Sequence, residues 1–153
     1  MRSVIWPFAA LVVILDRITK WLVVTRMKPL ESIPLIPGVF HLTYVRNPGA
    51  AFGVLAYRRD FFLIVTALVI ASVLYYSKYV SKDQVFLRAS LGLQLGGAIG
   101  NLIDRLRSGL VVDFLDFRVW PVFNVADSAI VVGTGVVILL LLKSPRDAPA
   151  REG

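Results

Sequence analysis

Long apolar stretches separated by short polar segments set the pattern of this chain. They run over roughly residues 4–24, 61–79, 86–106 and 125–142. Each comes close to the ~20 helical residues that a hydrocarbon core about 30 Å thick requires. Between the first two lies ESIPLIPGVFHLTYVRNPGAAFGVLAYRRD, whose prolines forbid a continuous helix. Within it, residues 39–45 are rich in β-branched and aromatic side chains and predict a short strand beside the membrane. SKYVSKDQ joins the second and third stretches, RSGLVVDFLDFRVWPVF joins the third and fourth, and KSPRDAPAREG forms a polar tail. No internal repeat is visible. The pattern predicts an all-α integral membrane protein: one domain over 1–153, four transmembrane helices and a small β-containing loop or cradle outside them.

Composition agrees with that reading. Apolar side chains make up 57% of the 153 residues and mean hydropathy is +0.73, too much for an ordinary soluble core. A net charge of +7 would suggest nucleic acid in a soluble protein, whereas here the basic residues flank spans and meet anionic headgroups, so membrane lipid and not nucleic acid is the expected partner. The first stretch begins like a signal peptide after Arg2. However, Asp16, Arg17 and Lys20 stand where a small-x-small cleavage site belongs, and Trp21 to Val24 continue the run, which reads as a retained span. With no cysteine, disulfides, thiolate metal sites and a cysteine nucleophile are excluded. Arg2, Lys78, Lys82, Arg88, Lys143, Arg146 and Arg151 outweigh Arg26, Lys28, Arg46, Arg58 and Arg59 by a narrow margin in placing both termini in the cytoplasm.

The charges inside the stretches are more informative. Successive spans alternate in direction, so the end of the first, the end of the third and the start of the fourth meet at one membrane face. Asp16 with Lys20, Asn101 with Asp104 and Arg105, and Asn124 with Asp127 occupy those ends, each set at i, i+3 or i+4 on one helix face. A charge at the bilayer centre costs roughly 2.5–3.5 kcal/mol on insertion scales, so these groups need partners or a water-filled cavity. Two readings stand for four of them: Asp16–Lys20 and Asp104–Arg105 are either ion pairs that neutralise helix ends or parts of a functional site.

Asp113 and Asp127 have no local cation. If they converge, both cannot ionise cheaply, and the pair then supplies a general base and a general acid. Asn124 either caps the fourth helix or supports the pair. Asp116 is the rival to Asp113, with the alternative of a solvated loop carboxylate or a partner of Arg118. The single histidine, His41, cannot build a histidine-rich metal site, no serine has an evident base beside it, and no Walker-type loop is present. No metal or other cofactor is expected. Gly92, Gly96 and Gly100, with Gly97 adjacent, predict close helix approach in the third stretch. Pro48, Gly49 and Gly53 predict a tight turn that either shapes the loop or lets Asn47 and nearby amides hold a substrate backbone.

Five segments in order, DRITK at 16–20, RNPGAAFG at 46–53, GGAIGNLIDR at 96–105, VVDF at 111–114 and FNVADSAI at 123–130, together resemble the motif set of the bacterial lipoprotein signal peptidases, signal peptidase II. The resemblance spans nearly the whole chain. It implies an intramembrane aspartyl endopeptidase of the bacterial cytoplasmic membrane, a multi-pass monomer with its active site near the extracytoplasmic face. It also implies removal of signal peptides from diacylglyceryl-modified prolipoproteins by cleavage just before the lipidated cysteine. By motif position Asp113 and Asp127 correspond to the catalytic pair. Asp16, Lys20, Asn47, Gly97, Asn101, Asp104, Arg105 and Asn124 fall in the segments that line or support the site. The family's first motif usually has glutamine where this chain has Arg17, and the segment between Asp113 and Asp127 is shorter than is typical. Residues 31–57 are a candidate clamp or lid.

Overall fold

The apolar stretches become four helices in a computed structural model that describes residues 4–49 and 58–143. Helix α1 runs Ile5–Arg26, followed by strands β1, Ser32–Ile36, and β2, Phe40–Asn47; then come α2, Arg59–Ser77, α3, Val85–Ser108, strand β3, Val111–Asp116, and α4, Val125–Lys143. The helices begin and end within two residues of the expected stretches at every boundary. Expectations for residues 50–57, Gly53 among them, and for the polar tail beyond Lys143 lie outside the described residues.

Helix α3 is the hub, packed against α1, α2 and α4. Its glycines make this possible. A Cβ on Gly92 or Gly96 would stand 2.6 Å from the carbonyl oxygen of Ile5 or Ala9 in α1, and one on Gly97 would collide with the Ala126 carbonyl of α4. Ile5, Ala9, Val73, Leu91 and Leu95 form one buried cluster between these helices. The outward faces expose Trp6, Ile14, Ile18, Ile64, Leu68, Val131 and Leu142. Each such side chain left in water forgoes roughly 1.5–3 kcal/mol of burial, so this surface suits lipid. Among the described residues, α2 and α4 are long and apolar enough on their own to cross a bilayer; α1 carries Asp16, Arg17 and Lys20.

The predicted strand over 39–45 is β2, and the sequence understated the rest. β2 is the centre of a three-stranded antiparallel sheet in the order β1-β2-β3. β1 is a fully exposed edge strand, a place that tolerates its Pro34. Gly109, left-handed at φ 75°, ends α3 and lets β3 begin two residues later. Val45 pairs with Asp113, Arg46 with Val112 and Asn47 with Val111. Past β3, Phe123 bridges back to Leu115, its carbonyl accepting from the Phe114 and Leu115 amides at 2.9 and 2.8 Å. That return sets Asn124 beside Asp113. A second buried cluster, Val23, Met27, Tyr44 and Phe114, fastens the sheet to the end of α1.

Candidate active site

Asp113 and Asp127 line one cavity of about 260 Å³, together with Asn47, Asn101, Arg105 and the segment from Trp120 to Phe123. β3 delivers Asp113 and the first turn of α4 delivers Asp127. Their nearest polar neighbours are amides. Asn47 Nδ2 donates to Asp113 Oδ2 at 2.9 Å and Asn124 Nδ2 to Asp113 Oδ1 at 2.7 Å; Asn101 Nδ2 donates to Asp127 Oδ1 at 2.6 Å. Among the described residues, neither aspartate forms an ion pair.

Asn124 unites its two predicted roles. Its Oδ1 accepts the Asp127 amide at 2.9 Å while Asp127 Oδ2 accepts the Asn124 amide at 3.3 Å, a reciprocal cap on α4. Its Nδ2 is left to face Asp113. Asn101 Oδ1 accepts from Lys20 at 3.0 Å and from Asn124 at 3.1 Å, and Asn47 Oδ1 accepts the Gly49 amide at 2.9 Å. Each asparagine thus has its oxygen engaged and its nitrogen turned toward a carboxylate.

Burial is the largest influence on Asp113, which is only 2% exposed, and the negative charge of Asp127 is the next. The Asn47 and Asn124 amides and the charge of Lys20 act the other way, and the carboxyl is pushed up to about 7. Asp113 therefore holds a proton up to about neutrality, where an exposed aspartate is already ionised.

Asp16, Lys20 and Asp104 lie behind this cavity rather than in it. Lys20 Nζ bridges Asp16 at 3.0 Å and Asp104 at 2.8 Å, and Arg17 reaches both carboxylates at 2.7 Å. The predicted Asp16–Lys20 pair is present; the Asp104–Arg105 pair is not. Neighbours on a helix point about 100° apart, so Asp104 turns to α1 while Arg105 turns to the cavity, its guanidinium 4.9 Å from the centre of the Phe62 ring. Sequence reasoning left Arg17 without a role, although its place beside Asp16 was the available signal. The carboxylates also grip the backbone: Asp16 Oδ1 accepts the Ala126 amide at 3.2 Å and Asp104 Oδ2 the Val112 amide at 3.3 Å. Ala126 and Val112 are the residues just before Asp127 and Asp113. Gly97 lines no part of the cavity; it lets α4 approach at Ala126.

Asp116 is buried, not solvated. It accepts from the Thr43 hydroxyl at 2.6 Å and from the Arg118 amide and guanidinium at 2.8 and 3.0 Å, which fits the alternative of an Arg118 partner. It sits on the opposite side of β3 from Asp113 in the strand's alternation. The Trp120–Phe123 wall was missed, since nothing in a short apolar loop says which cavity it will close.

A helical scaffold of this shape, with a polar end under a small sheet, is shared with bacterial membrane enzymes. One solved structure described in those words superposes with a TM-score of 0.87 at 35% identity, covering 95% of this chain and 92% of that one. The lipoprotein signal peptidase of Halothermothrix orenii is 53% identical over 131 residues, 86% of this chain and 90% of the relative. That of Moorella thermoacetica is 51% identical over 144 residues, 94% and 95%. The family model for Signal peptidase (SPase) II matches residues 8–143. The chain belongs to the signal peptidase II family, proteases that process lipoprotein signal peptides.

Proposed function

We propose that this protein is an aspartyl endopeptidase in which Asp113 and Asp127 are the catalytic pair, cleaving diacylglyceryl-modified prolipoproteins just before the lipidated cysteine. The observation that carries the reading is the contrast within the site: two carboxylates face one cavity held by amide N–H groups alone, and one of them keeps a proton to about pH 7. Carboxylates that share a proton supply a base and an acid at once. The ionised member takes a proton from a water between them, and the water oxygen bonds to the scissile carbonyl carbon. The protonated partner hydrogen-bonds the oxyanion that develops. Collapse breaks the C–N bond, and the leaving nitrogen takes up a proton as the new carboxyl forms. This chemistry needs no cofactor.

The supporting residues have distinct parts in this scheme. Asn47, Asn101 and Asn124 orient the carboxylates, and Arg105 lines the substrate cavity. Asp16, Lys20 and Asp104 fix the backbone on which the pair stands, and Gly97 admits α4. The monomer crosses the bacterial cytoplasmic membrane four times with both termini inside, so that the sheet and the cavity face outward and the lipid chains of the substrate lie among apolar helix faces. The test is cleavage of a lipidated precursor by the purified protein, with the same precursor lacking the diacylglyceryl group as comparison. Release of the signal peptide from the lipidated form alone supports the reading; equal turnover of both forms removes the lipid from it. A cysteine at Ser108 should react with an impermeant reagent outside intact cells, and one at Ser81 should not; the reverse labelling would invert the topology.

A further inference from the structure

A second cavity has no part in this chemistry. It holds about 510 Å³, against about 260 Å³ for the catalytic cavity, and lies on the other face of the β2–β3 ladder. Asn47, Val111 and Asp113 point to the catalytic cavity, whereas the paired Arg46 and Val112 point away from it into the larger one. Its floor is electrically balanced, because Arg17 and Lys20 are matched by Asp16 and Asp104. Its mouth is not. Arg46 and Arg107 line it, both are exposed, and among the described residues neither forms an ion pair; the Arg46 Nε only donates to the Tyr44 hydroxyl at 2.8 Å. Residues 50–57, which lie outside the described residues, contain no acidic side chain. Two unmatched guanidinium groups on one concavity favour an anion, and their planar donors suit a phosphate oxygen pair.

What surrounds the arginines narrows the anion's source. Exposed Trp21 stands on the rim, and Val24 and Leu110 continue an apolar wall along α1 and the end of α3. A tryptophan beside arginines at the end of a membrane helix marks the depth of lipid headgroups. A free phosphate would have no use for the apolar wall, and a peptide seated against Asp113 is on the wrong side of the strand. We propose that this cavity binds the phosphodiester headgroup of an anionic phospholipid, with Arg46 and Arg107 on the phosphate and an acyl chain running past Trp21 and Val24. The site is separate from the catalytic pair, and its occupancy does not depend on which side chains perform the cleavage.

Native mass spectrometry of the full chain in detergent tests this, with equal amounts of phosphatidylglycerol and phosphatidylcholine of identical acyl chains. The expected result is retention of phosphatidylglycerol over phosphatidylcholine by about ten- to thirty-fold, from two cations near a lipid surface. Arg46→Gln with Arg107→Gln should bring the ratio near one. Leu110→Glu, which offers the arginines a carboxylate, should do the same by a separate route if the double variant fails to fold. Lys78→Gln with Lys82→Gln removes the same charge at the far end of α2 and should keep the preference. No preference in the unaltered protein, an unchanged ratio in both the arginine and the Leu110 variants, or equal loss in the lysine variant would overturn the proposal. Complete displacement of phosphatidylglycerol by millimolar inorganic phosphate would overturn it too, by making this a free-anion site.

Discussion

Two pairs of aspartates sit at the same end of the bundle and behave as opposites. Asp16 and Asp104 are clasped by Arg17 and Lys20 at 2.7–3.0 Å, so each carboxylate has two cations against it. Asp113 and Asp127 accept hydrogen bonds from amide nitrogens and pair with no cation among the described residues, and the proton on Asp113 is in play near neutrality. Both arrangements make burial of a carboxylate tolerable, by different means. A cation satisfies the charge and makes the group structural, whereas a neutral donor lowers the cost of the charged form without abolishing the neutral one. The clasped pair in turn holds the amides of Ala126 and Val112, so the structural carboxylates position the chemical ones through the backbone.

The sharpest way to break this division is to neutralise each pair. Asp113→Asn or Asp127→Asn should lower cleavage by about 10³-fold or more while the protein remains folded, since an amide cannot exchange the proton; substantial turnover by either well-folded variant would sink the assignment. Lys20→Met should act on stability, costing about 3–5 kcal/mol because two buried carboxylates are left with Arg17 alone. Unfolding in detergent would reveal it, and an unchanged midpoint would mean the clasp is not structural. Arg17→Gln should cost less, about 1–3 kcal/mol, since Lys20 still bridges both acids.

Asn124→Ala removes the donor to Asp113 and the cap on α4 together. It should slow cleavage about tenfold or more, with a loss of roughly 1 kcal/mol in stability; a stability loss with an unaltered rate would leave Asn124 a cap alone. A further effect is a slope with pH. The unfolded chain releases the Asp113 proton near 3.8 and the folded chain near 7. Between those values the folded state binds more protons, so the Asp113 contribution favours folding at low pH and fades as pH rises, by at most about 1.4 kcal/mol per pH unit. The midpoint of Asp113→Asn should fall less steeply than that of the unaltered protein from pH 4 to 7. Parallel profiles would mean that Asp113 ionises as it does in the unfolded chain. Cleavage should fail at acid pH, when the pair takes a second proton, and again above 7, when the shared proton leaves.

The helices were legible because about 20 apolar residues in a row admit few other readings, and the convergence of Asp16, Asn101 and Asp127 follows from alternating span direction. Asp113 stood out for lacking a cation. What stayed hidden was set by contacts distant in sequence. β1 and β3 are five and six residues long, below the length at which periodicity distinguishes a strand from a loop. The partners of Asp104 lie across the bundle on α1, so a local search offered Arg105 instead. Burial of Asp116 depends on Thr43, 73 residues away. The basic cavity is visible only once β2 and β3 are paired, because pairing is what puts Arg46 and Asn47 on opposite faces.

The three asparagines also determine what another molecule in this cavity can say to it. Asn124, Asn101 and Asn47 each have their oxygen anchored away from the catalytic carboxylates, by the Asp127 backbone amide, by Lys20 and by the Gly49 amide. Their polarity is thereby keyed: none can turn over without losing a bond at each end. The nitrogens they present are already committed to carboxylates, and the cavity speaks as an acceptor even though it is framed by donors. A competitor that offers a hydroxyl to the aspartates should therefore inhibit more strongly than its methyl ether of otherwise identical structure. Equal inhibition by the two would show that the ligand meets the amides instead.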